Sequence, residues 1–376
     1  LSTAQHRVQG LDNDQVQADW PILDAEELAW LGAGYAALQG RCTLVWHSPR
    51  PFSAAALVQG PHGRVFVKRH HRRVRSAPVL EEEHHFMAHL LRAGLPVVRV
   101  LPAADGHTAV ARGEWTYEVH AEGSGTDLFR DIPSWTPLTD LGHAHQVGGM
   151  LARLHHAAAD YRAPQRSTHV LVARDDLIRA ADPVAQLRAQ LDGRPGLADY
   201  LADVPWESDL ARAIHPWHAA LGGRYAAQPV RWGHNDWHAS NLLWRGGGAN
   251  ATISTVFDFG LAAPTSALFD LATAIERNAV DWLASEGPVG HPATALALLE
   301  GYRSERPLTV SDLSLLADLL PVVHLDFALS EVEYFHAITG SRANADVAYH
   351  TFLLGHADWF AGAAGRSLLD GIRTAA

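Results

Sequence analysis

Two hydrophobic periods run along this chain, and the point where one gives way to the other divides it. Residues 23–38, LDAEELAWLGAGYAAL, place apolar side chains at helical spacing, with Asp24 positioned to cap the start. From about residue 40 the period shortens. CTLVWH, AAALVQG, RVFVKRH, HTAVARG and WTYEVHA read as short strands, with a turn at Gly60-Pro61-His62-Gly63 between the second and third. One helix interrupts them, in APVLEEEHHFMAHLLRAGLPVVRVLP, stopped by Gly94 and Pro96. Residues 40–120 therefore read as a small sheet crossed by one helix.

From about residue 121 the helical period takes over. GGMLARLHHAAADY, DPVAQLRAQL, LARAIHPWHAAL, LFDLATAIERNAVDWLA, PATALALLEGYRS, TVSDLSLLADLL and VVHLDFALSEVEYFHAI all carry i, i+3, i+4 apolar spacing. Only NLLWR and TISTVFDFG look like strands there, joined by a turn at RGGGAN. The stretch around GLADYLADVPWESD reads as a helical, proline-punctuated insert. The expected organisation is an extension over residues 1–22, a first lobe over 23–120 and a mainly helical second lobe over 121–376. A chain of 376 residues exceeds one ordinary core, which agrees with two lobes. The fold class is α+β.

Composition narrows the function. Hydrophobic residues make up 47% and charged residues 19%, a globular balance. The formal net charge of -11 argues against nucleic acid as a partner, which needs a basic surface, and suits a cationic one. The single cysteine, Cys42, permits no internal disulfide and fits a reducing compartment. The polar start has no apolar signal-peptide core, so a cytoplasmic location is expected. The most apolar stretch, LSLLADLLPVVHLDFALS, carries Asp318, His324 and Asp326 and is broken by Pro321. It reads as buried helices, not as a membrane span. No oligomeric state follows from the sequence.

The chemistry concentrates in WGHNDWHASNLLW, residues 232–244. Two readings are open. His234, Asp236 and His238 could ligate a metal in a hydrolase, although no further ligands stand at a recognisable spacing. Alternatively, Asp236 is the base of a phosphoryl-transfer loop and Asn241, five residues on, binds a metal. The second reading makes further demands, met in order. VFDFG supplies Asp258 as a second metal-holding carboxylate, followed by Gly260. RVFVKRH puts Lys68 on a strand of the small sheet as the phosphate-pairing lysine. Its partner should lie on the following helix, where Glu81, Glu82 and Glu83 stand. Glu83 is chosen for its phase relative to Leu90 and Leu91, with Glu82 the rival and a solvated acidic first turn the plain alternative.

These motifs resemble the aminoglycoside phosphotransferase and choline kinase-like small-molecule kinases, of bilobal protein kinase-like fold, over roughly residues 40–360. HNDWHASN is similar to their catalytic loop, GGMLARLHH to the helix ahead of it, and EEEHHFMAHLLRAGLPV to their first-lobe helix. The resemblance implies that ATP and Mg bind between the lobes and that a small hydroxyl-bearing acceptor receives the γ-phosphate. It implies that Glu118 to His120 in TYEVHAEGSG meet adenine with their backbone. It further implies that Asp270 in ALFDLATAIE braces the catalytic loop, where a plain helix N-cap is the alternative, and that His234 supports the loop too. Two departures stand out. The hairpin WHSPRPFSAAALV contains no glycine to approach phosphates, so Ser53 or Arg50 would serve with side chains. No Ala-Pro-Glu segment follows VFDFG, which disfavours a protein substrate; a non-catalytic nucleotide-binding relative is the other alternative.

By the same resemblance the acceptor lies against the helical lobe. In VVHLDFALSEVEYFH, Asp326 and Glu333 share one helix face, His324 and Glu331 another, with aromatic neighbours including Tyr334. These residues, with His238, Glu276 and Trp359, are the candidate acceptor contacts, set against solvated stripes, packing or a buried Arg277–carboxylate brace.

Overall fold

The computed structural model describes residues 6–7, 15–16, 19–48, 52–130 and 132–375. Most of the 1–22 extension, and Arg50 in the glycine-free hairpin, lie outside them. Helix α1, Ala25–Gly34, starts with a reciprocal cap: Asp24 accepts from the Glu27 amide at 2.8 Å, and Glu27 accepts from the Asp24 amide at 2.9 Å. The sheet of the first lobe contains β1 Thr43–His47, β2 Ala54–Gly60, β3 Gly63–His71, β4 Val100–Leu101, β5 Ala109–Arg112 and β6 Trp115–Ala121. All its pairings are antiparallel, in the order β1-β2-β3-β6, with β4 and β5 both on the far edge of β6. Period-two alternation sorts the side chains of β3. Val65 and Val67 pack with Leu28, Leu31 and Tyr35 behind the sheet, whereas Phe66, Lys68 and His70 face the cleft.

Helix α2, Ala77–Arg92, crosses this sheet and buries Phe86, Met87 and Leu90 in the core of the second lobe. A backbone bridge between Val97 and Val256 ties the lobes together, with the Val98 and Val256 amides donating to Val256 O and Pro96 O. In the second lobe α3, Leu141–Ala157, is followed by four helices of the insert: α4 Asp176–Arg179, α5 Pro183–Gln190, α6 Pro195–Leu201 and α7 Trp206–Ala226. The catalytic segment then runs β7 Arg231–Gly233, β8 Leu242–Arg245, β9 Thr252–Val256 and β10 Ala263–Thr265, paired antiparallel as β7–β10 and β8–β9. The short β7 and β10 were not legible in the hydropathy pattern. Helices α8 Ala267–Ala279 and α9 Pro292–Glu305 follow, and α9 packs against α3 where Gly148 and Gly301 let the backbones meet; a Cβ on either would overlap a carbonyl of the other helix.

Pro321 divides the apolar stretch as expected. Helix α10, Val310–Leu319, turns through Leu320–Val322 into α11, Leu325–Glu333, which widens into a π-turn over Tyr334–Thr339. This stretch is long and apolar enough to cross a bilayer, but its most apolar window is 94% buried inside the protein. The chain ends with α12 Arg342–Val347, a second π-turn at Ala348–Leu354, α13 Gly355–Ala361 and α14 Ala363–Arg373.

Candidate active site

The loop between β7 and β8 is held almost entirely from α8. Asp270, fully buried, accepts from the His234 amide at 2.8 Å and the Asn235 amide at 2.7 Å, and lies 3.0 Å from His155 Nε2. Gly233 makes this approach possible, because a Cβ there would press on the Asp270 carboxylate. Ser266, not Asp270, caps the helix by accepting from the Phe269 amide, so the capping alternative for Asp270 falls away. Two turns further along, Asn278 accepts from the Ala239 amide at 3.0 Å and donates to Trp237 O at 2.8 Å. Arg277 reaches the Asp236 carboxylate itself, with its guanidinium 4.4 Å from the Trp135 ring centroid and 5.2 Å from that of Phe327. Burial lowers the pKa of Arg277 to about 9, against the pull of Glu331, so it stays charged at neutral pH. Arg277 is thus a carboxylate brace, and its partner is the candidate base. Asp270 and Arg277, seven residues apart and so on one face of the helix, were the signal that could have found it.

Because Asp270 satisfies two buried amides, Asp270→Ala leaves both without an acceptor at about 1–3 kcal/mol each. The expected result is a thermal midpoint lower by several degrees, measured by calorimetry, with any folded fraction almost inactive.

His234 does not act as a metal ligand. Its Nε2 is 3.0 Å from Phe257 O and its Nδ1 accepts from the Asp236 amide at 3.2 Å, so both ring nitrogens are spent on the backbone. Burial lowers its pKa to about 4, which keeps it neutral as this pattern requires. His238 Nδ1 lies 2.6 Å from Ser240 Oγ, and its Nε2 is 3.6 Å from Asp236. The hydrolase reading built on His234, Asp236 and His238 is therefore set aside.

Asn241 donates to Asp236 O at 3.0 Å and to Asp236 Oδ2 at 3.2 Å, while its Oδ1 is buried with no hydrogen-bond partner. A bare buried amide oxygen costs free energy unless a cation or donor meets it. Asp258 follows β9 at φ 60°, in the left-handed region, and lies 3.0 Å from Lys68 Nζ. These oxygens suit a hard divalent ion such as Mg.

Lys68 is partnered differently from expectation. It pairs with Asp258 at 3.0 Å and with Glu118 at 4.0 Å, not with Glu83. Burial works against its charge, but the carboxylates of Asp258, Glu118 and Glu83 outweigh burial and hold its pKa above the ordinary lysine value. Glu83 is buried as its phase predicted, but it accepts from Arg166 Nη2 at 3.0 Å. Arg166 in turn donates to Val79 O, Ala262 O and Gly260 O. Arg75 also donates to Gly260 O, at 3.0 Å, so two buried arginines hold the backbone just after Asp258.

The adenine-hinge assignment also moves. Glu118 and His120 lie inside β6, paired with Lys68 and Phe66 on one side and with Ala109 and Val100 on the other. Their backbone is spent on the sheet. The Glu118 side chain is buried among His70, His84 and His120 at 2.9, 2.8 and 2.7 Å. Burial would raise its pKa, yet His120 and the hydrogen bonds of all three imidazoles hold it well below the usual carboxylate range. Ala121, the last residue of the strand, and Glu122 and Gly123 just past it line the cleft instead. Glu118→Gln is expected to weaken nucleotide binding about tenfold, the scale of one charge-assisted bond, and Glu83→Gln clearly less; titration calorimetry would compare them.

The cleft encloses about 530 Å³ between the lobes. Ser48, Ser53, Ala55, Leu57, Phe66 and Lys68 roof it; Leu243, Phe257 and Asp258 lie below; Trp135, Asp236, His238, Phe327 and Glu331 line the far end. Of the candidate acceptor contacts, His238 and Glu331 reach this space. Asp326 and Glu333 do not, because their shared face turns toward Arg194, which donates to Glu333 at 2.7 Å; burial, with Asp176 nearby, raises the pKa of Asp326. Tyr334 donates to Asp19 at 2.7 Å and accepts from Trp20. Trp359 donates to Pro288 O at 3.0 Å, and Glu276 is buried behind the wall against His356 at 3.0 Å.

A model of the phosphotransferase enzyme family matches residues 52–308. The chain belongs to that family. It is a small-molecule kinase acting on a hydroxyl acceptor. Among curated relatives, the homoserine kinase of Cupriavidus pinatubonensis is 29% identical over 254 residues, covering 67% of this chain and 68% of the relative. That of Burkholderia mallei is 28% identical over 259 residues, covering 66% and 69%. Among solved structures, the amicoumacin kinase hAmiN superposes with a TM-score of 0.58 at 13% identity, covering 93% of this chain and 94% of that one. The microcompartment-associated aminopropanol kinase reaches 0.57 at 18% identity, covering 94% and 100%. These likenesses show the bilobal protein kinase-like fold.

Proposed function

We propose that this kinase transfers the γ-phosphoryl group of ATP to the hydroxyl of a small amino alcohol. The observation that carries the reading is that Asp236 and Asp258 line one cleft while the Asn241 amide donates to Asp236 and keeps its own Oδ1 bare. Asp236, oriented by Arg277, accepts a hydrogen bond from the acceptor hydroxyl and takes its proton late. Positioning and charge neutralisation carry most of the barrier reduction. Asn241 and Asp258 would hold Mg, which when bound would neutralise phosphate charge. Lys68, released from Asp258, turns its ammonium to the phosphates, while Glu118 keeps it charged and near. The strand past Glu118 and the apolar roof of Ala55, Leu57 and Phe66 suit a purine ring.

The acceptor end places Glu331 in the cleft beside Trp135 and Phe327, whose rings already flank the Arg277 guanidinium, and its carboxylate is the group that would meet an ammonium. Homoserine and aminopropanol, named in two of the similar proteins, both join an amine to a hydroxyl. The test is ADP release from Mg-ATP over homoserine, amino alcohols, aminoglycosides, amino sugars and neutral sugars, with Asp236→Asn as the blank. Turnover with an amino alcohol that vanishes in the blank supports the reading; turnover confined to neutral sugars sinks it.

Burial raises the pKa of Glu331 to about 8, with Arg277 opposing the rise. Below that pH its carboxyl is protonated and neutral; above it, the carboxylate can pair with an ammonium. The KM for a cationic acceptor is expected to fall as pH rises from 6 through 8, and Glu331→Gln should flatten that profile.

A further inference from the structure

Three side chains that this chemistry does not use meet behind the acceptor wall. Glu276 comes from α8, His324 from the residue preceding α11, and His356 from α13. Their exposures are 1%, 2% and 3%. Glu276 Oε1 lies 3.0 Å from His356 Nδ1 and 3.9 Å from His324 Nδ1, and one donor atom from each residue falls within 4.8 Å of the others. His324 Nε2 is 3.0 Å from Leu353 O. A carbonyl only accepts, so that nitrogen carries the proton and Nδ1 presents a bare lone pair. This Nδ1 is buried and makes no hydrogen bond. An imidazole fixed by a carbonyl on one nitrogen and bare on the other is the state of a metal-binding histidine. Ring stacking holds both imidazoles: Trp282 lies parallel to His356 at 3.3 Å, and Phe352 faces His324 at 5.5 Å. Among the described residues, no lysine or arginine lies within ion-pair distance of Glu276.

We propose that Glu276, His324 and His356 bind a zinc ion as three of its four ligands. Two imidazoles and a carboxylate match the preference of zinc, and bond lengths of about 2.0–2.2 Å place tetrahedral donors about 3.3 Å apart. The separations from Glu276, 3.0 and 3.9 Å, bracket that value, and all three donors lie within 4.8 Å of one another, so small side-chain rotations close the site. The ion would staple α8, α11 and α13 together, and with them the wall carrying Arg277, Phe327 and Glu331. It is separate from the Asn241–Asp258 pair and does not depend on the acceptor.

The experiment uses untagged full-length protein, expressed with zinc and dialysed without chelator. Elemental analysis should find about one zinc per chain, lost in His324→Ala and in His356→Ala and kept in Asp258→Asn. Stripping zinc with a strong chelator should lower the thermal midpoint of the wild type, and zinc should restore it. Since the variants could fail to fold, cobalt(II) added to stripped wild type supplies a second readout, with visible bands of a tetrahedral nitrogen–oxygen site expected. Protein without zinc whose midpoint is indifferent to zinc, stripped wild type without the cobalt bands, or zinc content unchanged by both histidine substitutions would each overturn the site.

Discussion

Asp236→Asn is expected to lower kcat by about 10³ while leaving the fold and nucleotide affinity in place, within the range for loss of a positioned general base. The asparagine is nearly isosteric, and its amide oxygen can still accept from Asn241 Nδ2. It cannot take a proton, and it presents no charge to Arg277. Arg277 would then lose its paired carboxylate and keep only the nearby Glu331, so a loss of stability should accompany the loss of turnover. Single-turnover kinetics with saturating acceptor, beside nucleotide titration calorimetry, separate the two effects. Turnover near that of the wild type would remove Asp236 from the mechanism.

Asp258→Asn is expected to be as severe, by a different route. The substitution removes the anionic oxygen closest to Lys68 and one of two groups suited to hold a divalent ion. A kcat loss of about 10³, the kinetic equivalent of several kcal/mol, is expected. Nucleotide affinity should also lose its dependence on added Mg, which Asp236→Asn should retain. Comparing nucleotide titrations with and without Mg in both variants distinguishes the roles. An Asp258→Asn protein that still binds nucleotide tighter with Mg would contradict this assignment.

What the sequence made legible was local. The five strands around Lys68, the stop at Gly94 and Pro96, the cap at Asp24 and the order of Asp236, Asn241 and Asp258 all depend on residues close together in the chain. The partner of Lys68 does not. In the fold Glu81 meets His107, Glu82 meets Ser167 and the edge of Arg166, and Glu83 meets Arg166. No local pattern announces that Arg166, far along the chain, competes with Lys68 for Glu83. Glu118 was legible as a residue of WTYEVHA, but its role as a buried carboxylate among three imidazoles is set by strand register. Of the two polar stripes, Asp326 and Glu333 stay together near Arg194, whereas His324 sits behind the wall that Glu331 lines. Which of them looks into the cleft depends on Arg194 from the insert, and a helix read alone has no information on that.

The bracing of the catalytic loop from α8 has a consequence for how such a kinase can change. Asp270, Arg277 and Asn278 secure the proposed base and its loop from a single helix, whereas Phe327 and Glu331, which line the cleft at the proposed acceptor end, belong to another. Transfer chemistry and acceptor choice are thus written on separate pieces of the chain. Exchange of the surface around Phe327 and Glu331 can retarget the enzyme to a differently shaped alcohol, so long as Arg277, which packs on Phe327 and braces Asp236, keeps its seat.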